Sequence, residues 1–151
     1  RMTLYNHFPS KEALIEAVLE RRFRRYLDEL HAAIDCPAGT SAVTAVSECH
    51  CRWLHSTAPE GCIVIKAIAE FEHHSAAIAH QGRCLKRELL GIIRNALARD
   101  EQPADPATAE RVLLALEGAN TLASVLGPDR ATAHLRSMLP GILTNCAAES
   151  A

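Results

Sequence analysis

The stretch TLYNHFPSKEALIEAVL, residues 3–19, decides how the fold of this chain is interpreted. Its first half crowds tyrosine, histidine and phenylalanine together, although aromatic side chains make up only 4% of the chain. Its second half carries the start signals of a helix, because Pro9 interrupts whatever precedes it and Ser10 is a favourable N-cap. Apolar residues then recur at spacings of mostly three and four, which predicts a long amphipathic helix from Ser10 to about Ile34.

The composition of the 151 residues is that of a globular, helix-rich chain. Apolar residues make up 48% and charged residues 23%, which argues against disorder, and Ala and Leu favour helix. No run of 18 apolar residues occurs, so we expect no membrane partner. A net charge of −2 makes the whole chain a poor electrostatic match for nucleic acid. Six cysteines without a C-x-x-C pair indicate free thiols in a reducing cytoplasm.

Helical spacing continues along the chain, and no segment alternates convincingly as a strand does. The segment CIVIKAIAEF, residues 62–71, could be a strand by propensity, but its continuation favours a short buried helix. A second helix is predicted from the cap at Thr40 or Ser41 to the break at 58–61, and a further one over 75–99. Another is capped by Asp105 and ended by Gly127 and Pro128. The last is predicted over 129–145, where Pro140 and Gly141 should kink or divide it.

The two C-terminal helices carry more apolar surface than one chain needs to bury. Residues 110–126, ERVLLALEGANTLASVL, are apolar on nearly every side, whereas a helix packed only against its own domain needs one stripe. One interpretation pairs these helices with their copies in a second chain, as a four-helix interface; the other buries the penultimate helix within one chain. The interface candidates are Leu113, Leu116, Asn120, Ala123, Leu135, Met138, Leu139 and Ile142.

The opening stretch resembles the end of the DNA-binding domain of tetracycline-repressor (TetR) family regulators. The shared pattern is T-L-Y-x-H-F, a turn, and K-x-x-L on the next helix; 61–71 and 114–124 resemble two less specific segments of that family. The resemblance implies an all-α fold in which a helix-turn-helix head precedes a larger ligand-binding and dimerisation domain. We therefore expect residues 1–9 to be the remnant of a head that is otherwise missing, and residues 10–151 to be the helical ligand-binding and dimerisation domain.

The resemblance also implies DNA contacts near the start of the chain. Lys11 lies in the first turn of a helix, where its charge opposes the macrodipole, so an external anion is a reasonable partner. Without the resemblance, Tyr5 and His7 could equally be packed into the core or solvated. The DNA-contact candidates carried over from the family are Thr3, Tyr5, Asn6, His7 and Lys11, while Leu4 and Phe8 are interpreted as an apolar plug between head and body.

The same resemblance implies a small organic inducer held among the first helices of the body. Trp53, the single tryptophan, could line such a pocket or simply fill the core. Glu70 interrupts an apolar run and needs a partner, for which Lys66 at i,i−4 is the simplest candidate. The ligand-binding candidates are Cys49, His50, Trp53, Glu70, His74 and Asn120.

Two histidine clusters raise the question of a metal. One consists of Glu70, His73 and His74, and the other of His50, Cys51 and His55; if two such faces met, they could bind zinc or nickel. The spacings match no established zinc motif, and His73 and His74 could simply sit at a helix C-terminus, so we predict no metal and no cofactor.

The sequence also lacks the signatures of an enzyme. It has no glycine-rich phosphate loop and no G-x-S-x-G elbow, so we predict that the chain is not an enzyme. The function that the resemblance implies is that of a cytoplasmic, homodimeric, DNA-binding repressor, released from its operator by a small-molecule inducer. The alternatives are a thiol- or metal-sensing regulator on the same scaffold and, less favoured, an all-α enzyme.

Overall fold

The structure is a computed structural model that describes residues 8–35 and 41–149, with side chains described as far as Thr144. It consists of helices joined by short turns, and no strand occurs in the described ranges. The helices are α1 (Lys11–Ile34), α2 (Ala42–Ser56), α3 (Ile63–Phe71), α4 (Ala76–Arg99), α5 (Pro106–Leu126) and α6 (Pro128–Glu149). The predicted all-α fold is therefore confirmed. None of these helices combines the length and the apolar character that crossing a bilayer requires.

Side-chain caps begin three of the helices as the sequence predicted. Ser10 accepts a hydrogen bond from the Ala13 amide at 3.1 Å. Ser41 caps α2 and Asp105 caps α5 in the same way, each at 3.0 Å. Each cap satisfies an amide that has no partner inside its helix, which contributes about 1 kcal/mol.

The ambiguous segment after Gly61 is a helix. In α3 only Val64 and Ala67, three residues apart, are buried, which is the spacing of one helical face. α3 packs closely on α4 at Gly82, where an added Cβ would lie 2.6 Å from the Ile68 side chain. The strand alternative is therefore wrong, and a nine-residue helix rests on the domain with few anchoring side chains.

The core lies between α1, α2, α4 and α5. Its fully buried side chains include Leu30, Leu54, Ile78, Ile93, Leu97 and Leu116. α6 packs mainly along α5 and secondarily on α2, where Arg136 donates two hydrogen bonds to Glu48 at 2.7 and 2.8 Å. This arrangement leaves one long side of the α5–α6 pair facing away from the core.

The last helix differs from its prediction at both ends. Gly127, at φ +86°, ends α5, and α6 begins directly at Pro128 rather than Asp129 and extends to Glu149. Pro140 lies inside α6 and does not divide it.

Candidate ligand-binding site

A small cavity lies at the centre of the domain, where α1, α2, α3, α4 and α5 meet. Its volume is about 30 Å³, close to the volume of one water molecule in the liquid. The lining residues are Arg22, Phe23, Tyr26, His50, Trp53, Ala58, Cys62, Ile63, Val64, Lys86 and Asn120. Aromatic and charged side chains thus line the same cavity, a mixture that is typical of ligand sites.

Aromatic rings form one side of the cavity. The ring centroid of Tyr26 lies 5.7 Å from that of Phe23 and 5.2 Å from that of Trp53, both in tilted arrangements. On the outer side of Trp53, the Arg25 guanidinium lies 5.4 Å from the ring centroid. These contacts hold the rings in fixed positions, because tilted aromatic pairs and cation–π contacts each favour one geometry.

A hydrogen-bonded chain joins Tyr26, His50 and α5. His50 Nε2 lies 3.1 Å from the Leu116 carbonyl, which can only accept, so Nε2 carries the proton. His50 Nδ1, 2.7 Å from the Tyr26 hydroxyl, is then the acceptor in the neutral ring. Burial, together with the charge of Lys86, lowers the pKa of His50 to about 4, and burial, together with Glu117, raises the pKa of Tyr26. At neutral pH both groups are therefore uncharged, and Tyr26 donates to His50.

Lys86, which lines the cavity, belongs to a buried ion pair. Lys86 is 9% exposed and donates to Glu117 Oε1, while the other carboxylate oxygen of Glu117 accepts from Asn120 Nδ2 at 3.0 Å. The Lys86 ammonium also lies 5.2 Å from the ring centroid of Phe23. Burial alone would lower the pKa of Lys86, but Cys62 and Glu117 outweigh it and the pKa is raised, so the ammonium stays charged.

The loop between α2 and α3 closes the cavity. Arg22 donates to the Thr57 carbonyl across the entrance. Gly61, at φ +95°, lies so close to α5 that an added Cβ would come 2.9 Å from the Asn120 carbonyl oxygen. Outside this closure lies a surface depression of about 460 Å³, which shares Arg22, Ala58 and Ile63 with the cavity. A ligand of ordinary size can enter only if this loop or α3 moves.

The structure separates the ligand-binding residues proposed from the sequence into two groups. His50, Trp53 and Asn120 line the cavity together. Cys49 is buried but does not line it, and burial raises the pKa of its thiol. Glu70 and His74 are exposed near the end of α3.

Sequence reasoning did not select Tyr26, Lys86 or Arg22. Lys86 left a detectable signal, because it occupies the apolar stripe of α4 that continues through Leu89 and Ile93 at helical spacing. Tyr26 was visible only as one more member of the apolar face of α1. Its role depends on His50, which is 24 positions away in the chain.

The two histidine clusters do not meet. His50 lies in the core, and His55 is exposed with its Nδ1 3.6 Å from the Asp129 carboxylate. The other cluster, Glu70, His73 and His74, is on the surface. In the described ranges, no three His, Cys, Asp or Glu side chains are grouped closely enough to hold a metal ion. The expected Lys66–Glu70 pair is also not formed, because the Lys66 ammonium donates to the Glu60 carbonyl at 2.6 Å.

The outward side of α5 and α6 forms a shallow apolar groove of about 700 Å³. Four large apolar side chains are exposed along the pair: Leu114 at 73%, Val125 at 70%, Met138 at 56% and Leu126 at 40%. Of the interface candidates, Leu135, Met138 and Ile142 line the groove. Leu113 is half-buried against the core, and Leu116, Asn120, Ala123 and Leu139 are buried within the chain.

A second apolar groove, of about 790 Å³, lies between the start of α1 and α3. Leu14, Val18 and Phe71 line it, and Ile63 borders this groove as well as the cavity. Lys11, the DNA-contact candidate in the first turn of α1, is exposed nearby in sequence. The other candidates, Thr3, Tyr5, Asn6 and His7, lie outside the described residues.

Comparison with known proteins identifies the fold. No family model matches the chain, and no curated protein matches it. Among solved structures, the chain is similar to a TetR-family transcriptional regulator from Streptomyces coelicolor, with a TM-score of 0.86 and 22% sequence identity over 97% of this chain and 78% of that chain. The chain therefore has the TetR-like fold that the opening stretch implied.

Proposed function

We propose that the chain senses a small organic molecule and regulates transcription as a homodimeric, DNA-binding repressor. The observation that carries the proposal is a closed cavity with aromatic and charged walls at the centre of a TetR-like fold. The opening stretch supports the DNA-binding part, through the candidate contacts Thr3, Tyr5, Asn6, His7 and Lys11. The proposal gives the chain no enzymatic activity.

The path from ligand to DNA runs through α3. Ile63, the first residue of α3, borders the cavity, its entrance depression and the groove beside the start of α1. Only Val64 and Ala67 of α3 are buried, so this helix is the wall that a ligand displaces most easily. Its displacement changes the groove that Leu14 and Val18 of α1 line, and with it the orientation of the DNA-contacting segment that precedes them in the chain.

The outward groove of α5 and α6 is the proposed dimer face. Leu114 and Met138 are exposed there, Val125 is exposed farther along α5, and an added Cβ at Gly118 would meet nothing within 4 Å. A second copy of the same face would cover these apolar groups in a two-fold interface. Two recognition helices about one DNA turn apart, roughly 34–36 Å, then bind adjacent major grooves. A ligand that prefers the incorrectly spaced state releases the DNA.

DNA binding tests the proposal directly. The complete product of the gene is titrated onto DNA fragments from either side of that gene, and affinity should fall steeply with salt. Lys11→Ala should weaken binding several-fold and reduce the slope of log affinity against log salt by about one. Arg94→Ala, an exposed change on α4, is the matched control. Failure to bind any such fragment would overturn the proposal, and unchanged binding by Lys11→Ala would remove Lys11 from the interface.

Light scattering tests the dimer face. Leu114→Glu should convert a dimer into single subunits, because it places a charge in the middle of the apolar groove. Ile65→Glu, on α3, changes an equally large apolar side chain that is 43% exposed and lies outside the groove, so it should leave the dimer intact. A native chain that runs as a single subunit at micromolar concentration would contradict the proposed dimer.

A further inference from the structure

The charges on the cavity wall have one sign. The charged lining residues are Lys86 and Arg22, and no carboxylate belongs to the lining. Glu117 contacts Lys86 but is not itself a lining residue. An anionic group entering the cavity would therefore meet the Arg22 guanidinium, whose charge no lining carboxylate offsets, and the Lys86 ammonium, whose charge is already paired with Glu117.

Lys86 has unused hydrogen-bonding capacity. Its ammonium carries three donors, and Glu117 takes one of them, while the Cys62 sulfur also lies within hydrogen-bonding reach. Both oxygens of Glu117 are occupied, one by Lys86 and the other by Asn120. A buried ammonium with a spare donor favours an additional acceptor, and Arg22 supplies the second positive charge that offsets a second carboxylate.

The remaining wall suits a flat ring. Tyr26 and Trp53 are fixed at a centroid distance of 5.2 Å, and Ile63 and Val64 close the same space from α3. The closed cavity of about 30 Å³ holds no organic ligand, so the ligand must gain room by displacing Arg22 from Thr57 and opening towards the depression outside.

We infer that the ligand is an aromatic carboxylate, with its carboxylate on Lys86 and Arg22 and its ring against Tyr26 and Trp53. The inference rests on the proposed function only in that the cavity is taken as the sensing site. It goes beyond that proposal by naming the chemical class of the ligand and the two residues that select its charge.

The fluorescence of Trp53, the only tryptophan of the chain, reports binding directly. Benzoate should change this fluorescence saturably, and benzamide, which has the same shape without the charge, should bind about 10- to 100-fold more weakly, the range expected for a charge-assisted hydrogen bond. This comparison uses the unaltered chain. Equal affinity for the two compounds, or no saturable change with benzoate, would overturn the inference.

Two variants locate the selecting charge. Lys86→Met should remove most of the preference for benzoate over benzamide, whereas Arg87→Met, the exposed neighbour on the same helix, should keep it. If Lys86→Met does not fold, the comparison of benzoate with benzamide in the unaltered chain and in Arg22→Met still tests whether the cavity selects a negative charge. An unchanged preference in a folded Lys86→Met chain would overturn the assignment.

The inference and the proposed function can fail separately. Saturable benzoate binding without any DNA binding would refute the regulator and leave the ligand class standing. Release of bound DNA by a neutral or cationic compound that quenches Trp53, with no effect of benzoate, would refute the ligand class and leave the regulator standing.

Discussion

The two sides of α5 both carry apolar side chains, but only the inner side is covered by the rest of the chain. Towards the cavity, α5 presents Asn120 and the Leu116 carbonyl, which take part in hydrogen bonds with Glu117 and His50. Towards the outside, it presents Leu114 and Val125, which are mostly exposed. A helix in an isolated domain usually has its polar side outwards, so the exposed Leu114 and Val125 support the proposed dimer face.

The largest expected effect tests whether the two sides differ in energy as they do in burial. Leu116 is 0% exposed and Leu114 is 73% exposed, on the same helix and two positions apart. Leu116→Ala should lower the free energy of unfolding by about 2–5 kcal/mol, because it leaves a cavity in the core. Leu114→Ala should change the free energy of unfolding of the separated subunit by less than about 0.5 kcal/mol. Urea denaturation at low protein concentration measures both, and similar losses would remove the distinction between the two sides.

Acid should act on the inner side through His50. The pKa of His50 is lowered to about 4 in the folded chain from an ordinary value of 6.5, so the unfolded chain binds the additional proton between these values. The contribution of His50 to the free energy of unfolding is fully present above pH 6.5. It falls as the pH drops towards 4, by about 3 kcal/mol in all. His50→Gln should flatten this part of the pH profile of unfolding, whereas exposed His73→Gln should not. Equal profiles for native and His50→Gln chains would contradict the buried, neutral ring.

The closure of the inner side depends on Gly61. Gly61→Ala should destabilise the chain by about 1–3 kcal/mol, since φ is +95° and the new Cβ would meet the Asn120 carbonyl at 2.9 Å. The matched change Gly91→Ala lies in α4, with nothing within 4 Å of the new Cβ, and should be neutral or stabilising. Thermal unfolding distinguishes the pair. A neutral Gly61→Ala would mean that the loop is free to move away from α5.

The smallest effect concerns the outer side. Gly118→Ala should stabilise the subunit by about 0.5–1 kcal/mol, because alanine is the better helix former and the site is open. If a partner backbone approaches Gly118 closely, the same change should weaken the dimer. Sedimentation at several concentrations tests this, with Gly91→Ala as the change that should gain stability without affecting assembly. If the Gly118→Ala dimer is tighter than the native one, the close contact between subunits lies elsewhere on the groove.

Local signals in the sequence predicted the fold well. Ser10, Ser41 and Asp105 are caps whose chemistry is local, and each begins its helix as expected. The face of α5 was not predictable in the same way, because apolar residues occur on every side of that helix and periodicity then selects no direction. Leu116 and Leu139 were therefore grouped with Met138, although both are buried in their own chain.

The candidate site was predicted only in part, because its contacts join distant positions. Trp53 and His50 were selected by residue type and do line the cavity. Their partners Tyr26 and Lys86 come from other helices, and single-sequence spacing carries no information on which helix faces which. Lys66 shows the same limit at short range, since a nearby backbone carbonyl competes successfully with the expected partner Glu70.

The shallow anchoring of α3 has an evolutionary consequence. Val64 and Ala67 are the two buried residues of this nine-residue helix, whereas α4 buries a stripe along its whole length. Substitutions at the exposed positions of α3 therefore cost little folding energy, and the half-buried Ile63 belongs to the wall of the cavity. Under the proposed sensing function, altering this one short segment would change the ligand that is recognised and keep the rest of the architecture constant.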